Sequence, residues 1–453
     1  MNPFRESALI SKYDVPAPRY TSYPTALQFK PVNDPKPLAD EVAGWDGPLS
    51  LYFHLPFCES LCWFCACSSI ITGDHAKADP YIDALEREMG LYLPLLKPGR
   101  KVEQMHLGGG SPDFFSPAQL ERLLGVVRAR FDFATDAELS AELEPRILTA
   151  EHLDILRAGG FTRASIGVQD ADPAVQKAVH RIQPPELNRK AMAMMRERGF
   201  ASVNVDLMYG LPLQTQASFA RTIDHVIELS PERVAVFNYA HVPWMKPAQK
   251  NLLLAGPLPT GPEKIALFAL AAEKLVAAGY EHIGLDHFAK PTDELALAHR
   301  DGTMQRNFQG YSTRAGLEML GFGVTAISQS PKSYRQNFHA LDAYYAAVNA
   351  GHLPVERGVF LTEEDVLRRK VIMAVMCACV LDYAEISRAT GVDFEAHFAA
   401  ELAGMDDLEK DGLLVRRPGK LEITPMGRLL VRSIAVRFDQ YFKPTEKRHS
   451  KAV

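Results

Sequence analysis

Between residues 49 and 239 one unit recurs: a short apolar run, then a longer amphipathic stretch. The runs cover 49–55, 104–107, 138–143, 164–168, 203–208 and 234–239. The stretches between them, such as 80–95 and 117–131, carry proline at or near their start, where a helix tolerates it best. Strands alternating with helices imply crossover connections and a parallel sheet. Six such units favour a barrel, complete or short of closure, over a doubly wound sheet, although pattern alone does not force the choice.

The flanks read differently. Residues 1–47 form a proline-rich N-terminal arm containing Pro18-Arg19-Tyr20-Thr21-Ser22-Tyr23-Pro24-Thr25, a poor helix. From 356 to 453 the pattern becomes mostly α. Thr362-Glu363-Glu364-Asp365 caps a helix with an acidic first turn. Helices near 368–380 and 398–411 and a hairpin after Gly412 then suggest a small winged-helix-like unit. The expected division is an arm at 1–47, a barrel domain at 48–355 and a C-terminal domain at 356–453.

Hydrophobic residues make up 47% of the 453 and charged residues 23%, as in soluble globular chains. A formal net charge of −5 gives no reason to expect nucleic acid as a partner, so an anionic ligand must be held by a local basic group. No secretory leader and no bilayer-length apolar run are legible. Six cysteines, four of them within ten residues, do not make a disulfide framework. The expected setting is the reducing cytoplasm, without a membrane partner, and the expected state is a monomer.

Chemistry-bearing residues collect just after the apolar runs, where a barrel's C-terminal mouth builds its active site. Cys58, Cys62 and Cys65 follow the first run with Cys67 two residues on. Three thiolates at this spacing can hold three irons of a four-iron cluster, leaving the fourth open to a reactant. The alternative is a structural zinc site, which needs a fourth ligand from a distant pair. Cys377 and Cys379 lie in an apolar stretch and read as core. Gly108-Gly109-Gly110-Ser111 follows the second run and lets backbone approach a ligand, offering N–H and C=O groups to an amino acid's charged ends. Glu142 and Asp206 end the third and fifth runs and suit ribose hydroxyls or an ammonium. Arg181 suits a carboxylate.

These residues resemble the radical S-adenosylmethionine enzymes: Cys-x3-Cys-x2-Cys after the first strand, Phe64 before the third cysteine, and Gly-Gly-Gly-Ser-Pro after the second strand. The chain is more closely similar to the oxygen-independent coproporphyrinogen III oxidase family. That likeness rests on the Pro18–Thr25 phrase, Cys65-x-Cys67, Gly167-Val-Gln-Asp, Asp206-Leu-Met-Tyr-Gly-Leu-Pro, Phe237-Asn-Tyr-Ala-His, Asp286-His-Phe-Ala and Arg306-Asn-Phe-Gln-Gly-Tyr. It implies an open (β/α)6 partial TIM-like barrel, with Cys58, Cys62 and Cys65 holding one [4Fe-4S] cluster and Cys67 not a ligand. It implies one S-adenosylmethionine near Tyr52, Gly109, Glu142 and Ile327, and a second near Phe64, Gly110, Ser111, Gln169, Arg181, Asp206 and Ala240. The implied reaction is oxidative decarboxylation of two propionates of coproporphyrinogen III to vinyl groups, giving protoporphyrinogen IX in haem biosynthesis. Its electrons would come from a donor protein such as a flavodoxin or ferredoxin. Arg19, Arg306 and Lys290 are candidates for the substrate's carboxylates. The chain departs from the family at Ser68-Ser69, where Asn-Lys is usual, and at 314–318. The alternatives are another radical tetrapyrrole enzyme, such as one of haem breakdown, and a haem-binding chaperone on the same fold. Zinc-stapled nucleic-acid binding is disfavoured by charge.

Overall fold

Alternation along each strand decides the architecture. In β5 (Ser202–Tyr209), Val203, Val205 and Leu207 are fully buried, while Ser202, Asn204 and Asp206 face the other way. The same two-residue period runs through β1 (Leu49–Leu55), β4 (Arg163–Gln169) and β6 (Arg233–Asn238), and through β2 (Lys101–Gly109) and β3 (Asp132–Leu143) beyond a register shift after Val102. One set of side chains therefore meets a helical layer and the other meets its counterparts across a barrel. The computed structural model describes Leu9, Lys12, Tyr13 and residues 17–443. The remainder of the expected arm before Ala17, and residues 444–453, lie outside the described residues.

β1 to β6 pair in parallel in chain order. A seventh parallel strand, β7 (Glu318–Phe322), flanks β1 with Gly321 opposite Tyr52. Antiparallel strands extend both sides, making 13 in all, and the two edge strands, Lys30–Pro31 and Glu281–Gly284, do not pair with each other. The sheet is thus an open partial barrel. The sequence pattern missed the flanking strands because they are short and carry buried polar residues, as in Ser333–Asn337.

The outer layer is α1 (Ala78–Tyr92), α2 (Pro117–Arg128), α3 (Ala150–Ala158), α4 (Pro185–Glu197), α5 (Gln216–Leu229) and α6 (Gly261–Ala277). The helix expected over 80–95 stops at Tyr92 and tightens into a 3-10 turn at Leu93–Leu95, where Pro94 has no N–H to give. α1 buries Tyr81, Ile82, Leu85, Met89 and Tyr92 completely, the stripe of a helix lying on a sheet. Capping boxes open α2 at Ser116/Gln119 and α3 at Thr149/His152, fixing where each strand-to-helix loop ends.

The barrel centre is not an apolar plug. Bulky branched residues usually fill such barrels. Here the lumen is lined by Gln104, His106, Glu138, Ser140, Arg163, Ser165 and Asn204, among others, and keeps a cavity of about 190 Å³. The polar groups bond one another: Gln104 donates to Glu138 at 2.9 Å, His106 meets Ser140 at 2.7 Å, and Asn204 donates to Ser165 at 2.9 Å.

After residue 360 the order is helix α7 (Glu363–Cys377), strand Val380–Asp382, helix Tyr383–Thr390, three short helices, and the hairpin Leu414–Arg417/Lys420–Ile423. Val380–Asp382 joins the hairpin in a three-stranded sheet, giving winged-helix topology. The helix expected over 398–411 is split around Gly404 into Ala399–Ala403 and Asp406–Lys410. Cys377 and Cys379 are buried in the core. No helix among the described residues is long and apolar enough to cross a membrane.

The N-terminal segment lies against this unit. Arg432 donates to the carbonyl of Pro18 at 3.1 Å and to that of Ala17. Tyr20 donates to Asp439 at 2.9 Å, and the Gln440 N–H donates to Tyr23 Oη at 3.1 Å. From Ala26 onward the expected arm is regular structure, including the edge strand and the helix Lys36–Ala43.

Candidate active site

β1 delivers the chain to Pro56, and the cysteine loop begins there. The two-residue strand Phe57–Cys58 pairs with Ile70–Ile71, and the Thr72 N–H donates to the Cys58 carbonyl at 3.0 Å. The loop is therefore a closed ring whose thiols cannot drift apart. Its floor is a satellite apolar cluster joining Cys62 and Phe64 to Val175, Val179, Leu211, Tyr239 and Leu252 from three neighbouring loops.

The glycine run explains itself sterically. A Cβ on Gly110 would stand 2.6 Å from the Phe57 carbonyl oxygen and from the Pro56 carbonyl carbon. Gly109 has φ +107, and a Cβ there would meet the His54 ring at 2.6 Å. The N–H groups of the run are already used. Gly109 donates to Glu142 at 3.2 Å, Gly110 to Leu55 O at 2.8 Å and Ser111 to Phe57 O at 2.9 Å. The expectation that these N–H groups meet a ligand's carboxylate is thereby corrected: they pin the cysteine loop and Glu142, leaving carbonyl oxygen as the run's offer to a ligand.

A cavity of about 610 Å³ opens between these pieces. Cys58, Cys62 and Cys65 line it with Phe64, Gly109, Gly110, Ser111, Glu142, Gln169, Arg181 and Asp206. Tyr52, Ala240 and Ile327 stand just outside. Tyr52 stacks on His106, whose ring meets Glu142 at 3.3 Å. The Ala240 carbonyl accepts from Gln249, which also donates to the Phe64 carbonyl, both at 3.2 Å. Ile327 packs its backbone against Gly321.

Each of the three thiols has a hydrogen-bond donor. Ser111 Oγ donates to Cys58 Sγ at 3.7 Å. Arg181 and Arg146 reach Cys62 Sγ at 3.5 and 3.8 Å. The Cys67 N–H meets Cys65 Sγ at 3.4 Å. Hydrogen bonding from the Cys67 side chain, its backbone N–H, and the charges of Lys246 and Arg181 hold the Cys65 thiol down to about 6 against burial. Burial pushes Cys58 up to about 11, the Ser111 bond notwithstanding. Cys67 itself is exposed.

Two carboxylates face the same space in different states. Burial raises Glu142, but the His106 bond and the Gly109 N–H outweigh it and keep its carboxyl below the usual range. Burial and the nearby Glu142 charge lift Asp206 to about 7, although Asn204 and Ser165 donate to it at 2.7 and 3.2 Å. Gln169, with φ +64, carries a buried Oε1 that has no protein donor.

Arg181 departs from its expected role. Its Nη1 donates to Glu144 Oε2 at 2.5 Å and its Nη2 to the Gly167 carbonyl at 2.8 Å, so the protein's own carboxylate occupies the fork. Arg146 binds the other face of Glu144 at 2.9 and 3.0 Å. Sequence reasoning passed over Glu144 and Arg146; the signal was a second carboxylate two residues beyond Glu142 with an arginine following. His54 was also missed. It bridges Tyr52 Oη at 3.1 Å and the Ser68 carbonyl at 2.9 Å, so the Ser68 position contributes its backbone.

A cationic station lies outside this cavity, around Asp286. Arg19 donates to Asp286 at 3.1 Å and to the Asn238 carbonyl at 3.3 Å. Arg306, buried, lies 4.6 Å from the Tyr311 ring centroid with Nε and Nη1 lacking protein acceptors. Lys290 is not part of it. Its ammonium bonds the Ser230 carbonyl and Glu232 ahead of β6, at the opposite end of the strands.

The cavity suits an iron–sulfur cluster and an amino-acid cofactor. The thiols stand around a space rather than on a point: among the described residues, no three His, Cys, Asp or Glu side chains sit close enough to share one ion. A four-iron cluster spreads its thiolates over separate irons and is tuned by donors to sulfur, which are present here. The orphaned Gln169 oxygen fits a ligand hydroxyl or ammonium.

Residues 52–226 match the radical SAM superfamily model, and residues 361–430 match the HemN C-terminal domain model. The oxygen-independent coproporphyrinogen III oxidase of Helicobacter pylori strain J99 is 44% identical over 449 residues, 98% of each chain. The protein of that name from Escherichia coli K12 is 45% identical over 437 residues, covering 96% of this chain and 95% of its own. A solved Escherichia coli structure, titled as coproporphyrinogen III oxidase (HemN), a radical SAM enzyme, superposes with a TM-score of 0.90 at 44% identity. It covers 94% of this chain and 98% of its own.

Proposed function

Because the chain belongs to the oxygen-independent coproporphyrinogen III oxidases of the radical S-adenosylmethionine superfamily, we propose that its cavity performs the oxidative decarboxylation of coproporphyrinogen III in haem biosynthesis. The observation that carries this reading is one space lined by three thiols, Gln169, Glu142 and Asp206, in a chain alike to these oxidases from end to end. Each of two propionates loses one hydrogen atom, carbon dioxide and one electron, the electron passing to an external one-electron acceptor. The bond to the carboxyl carbon breaks and a vinyl double bond forms. When bound, the cluster and S-adenosylmethionine supply the 5′-deoxyadenosyl radical that takes the hydrogen.

The chain's own residues bind, orient and shield. Cys58, Cys62 and Cys65 hold the cluster, and exposed Cys67 lends Cys65 its N–H rather than serving as a ligand. Tyr52, Gly109, Glu142 and Ile327 surround one S-adenosylmethionine. Phe64, Gly110, Ser111, Gln169, Asp206 and Ala240 surround a second. Arg181 joins that second set as the partner of Glu144, placing positive charge at Cys62. Arg19 and Arg306 take substrate carboxylates, Arg306 through nitrogens that have no acceptor in the protein. The winged-helix unit and the arm it holds carry Arg19 to the lumen, supporting a division into arm, barrel and C-terminal unit.

Anaerobic incubation of the reconstituted protein with dithionite, S-adenosylmethionine and coproporphyrinogen III should release carbon dioxide and yield protoporphyrinogen IX. An intact cluster with no vinyl product would overturn the assignment.

A further inference from the structure

The loops packed around the cysteine ring have a charge distribution unlike the rest of the chain. Segments 173–185, 207–222 and 239–262 contain no Asp or Glu, in a chain whose 55 acids outnumber its 50 bases. Arg221 is neutralised by Asp172 at 3.0 Å and Arg181 by Glu144. Lys177 and Lys250 are exposed and have no acidic partner among the described residues, and Lys246 bonds only the Cys67 carbonyl, at 2.7 Å. The one facing acid on the cysteine loop, Glu59, pairs with His75 at 3.2 Å.

The same loops are unusually apolar outside. Trp244 and Met245 are each 66% exposed, Leu254 82%, Ile182 57% and Leu213 46%. Single exposed apolar residues need no explanation, but five of them on three loops that meet in one cluster and carry lysines without acidic partners mark an interaction surface. This one is wired to the cysteine ring. The Trp63 N–H donates to Val179 O at 3.0 Å, Trp63 stacks on His180 at 5.2 Å, and Gln249 donates to the Phe64 carbonyl. Beneath it lies the satellite cluster that contains Cys62 and Phe64.

We infer that this face is the docking site of a small acidic electron-carrier protein that delivers the electron used at the cluster. The inference rests on the decarboxylase reading, which consumes an electron at each S-adenosylmethionine cleavage. Charge complementarity selects the occupant: a basic rim steers an acidic partner, and the exposed tryptophan and leucines form the centre of a small, transient interface. The same loops pack directly against Cys62 and Phe64 of the cysteine ring.

The test uses the full-length reconstituted protein with reduced acidic flavodoxin or dithionite as electron source, and oxidised flavodoxin in a binding titration. In a Lys177→Glu/Lys250→Glu variant, and separately in Trp244→Ala, the flavodoxin Kd should rise about tenfold. Flavodoxin-driven S-adenosylmethionine cleavage at limiting flavodoxin should fall to match, its salt dependence should flatten in the charge variant, and dithionite-driven cleavage should stay at the wild-type rate. Unchanged affinity in both variants, an equal loss with dithionite, or a wild-type dimer that these changes dissolve would each overturn the inference. Wild-type protein that binds flavodoxin through this face but makes no vinyl product with either reductant would sink the decarboxylase reading while leaving the docking site standing. Turnover with dithionite but no flavodoxin affinity would do the reverse.

Discussion

Gly110 shows how a single hydrogen atom in place of a methyl group sets the site. The backbone of Pro56 and Phe57 occupies the space a side chain would need. Gly110→Ala should push the cysteine ring off β2, lowering stability by about 1–3 kcal/mol. Iron bound per chain should fall while the far-ultraviolet circular dichroism holds; full iron content would refute the prediction. Asp206 gives a second residue-scale expectation. Its proton is held up to about 7, first by burial and then by Glu142. The folded state therefore binds this proton more tightly than the unfolded chain. The stability it contributes is complete below the ordinary carboxylate range, near pH 4, and is lost as pH rises toward 7. Asp206→Asn cannot lose it, so its melting temperature relative to wild type should climb across pH 4–7 and level off above. A difference independent of pH would contradict this.

At the scale of elements, caps and loop pins outweigh propensity. Thr362 and Asp365 bond each other's N–H groups at the start of α7, and Asp365 also accepts from Gln440 at 3.1 Å and Tyr441 at 2.8 Å. Asp365→Ala should cost about 2–3 kcal/mol in urea denaturation, since it removes half of the capping box and takes a buried carboxylate from the Thr362, Gln440 and Tyr441 donors. A loss under 0.5 kcal/mol would mean that solvent already serves those donors. The cap was legible from Thr362-Glu-Glu-Asp365, as were the six parallel strands, from runs whose outward residues are apolar. Legibility failed where an element is too short to show a period, as in Val380–Asp382. It failed also where a role depends on partners far apart in the chain. Arg181 could be read as a free fork until Glu144 was seen against it, and Lys290 could be read as a substrate ligand until the fold put it below the barrel. The cysteine spacing was readable because its partners are neighbours in sequence.

Over the whole molecule, the C-terminal unit is tied to the barrel through the arm. Arg432 grips the carbonyls of Ala17 and Pro18, and the next residue, Arg19, reaches Asp286 and Asn238 in the barrel. Arg432→Met should leave cluster absorbance intact, expose the arm to limited proteolysis, and raise KM for coproporphyrinogen III about tenfold, as expected for a displaced charged hydrogen bond. An unchanged KM would show that Arg19 keeps its place without the C-terminal grip. The polar lumen has a different consequence. Cohesion in this molecule resides in the annulus between strands and outer helices, and its axis is a small cavity with hydrogen-bonding walls. Exchanging one lumen side chain for another polar one leaves that annulus standing wherever the new group answers the hydrogen bonds of the old, so the barrel's contents can be respecified without what holds them being rebuilt.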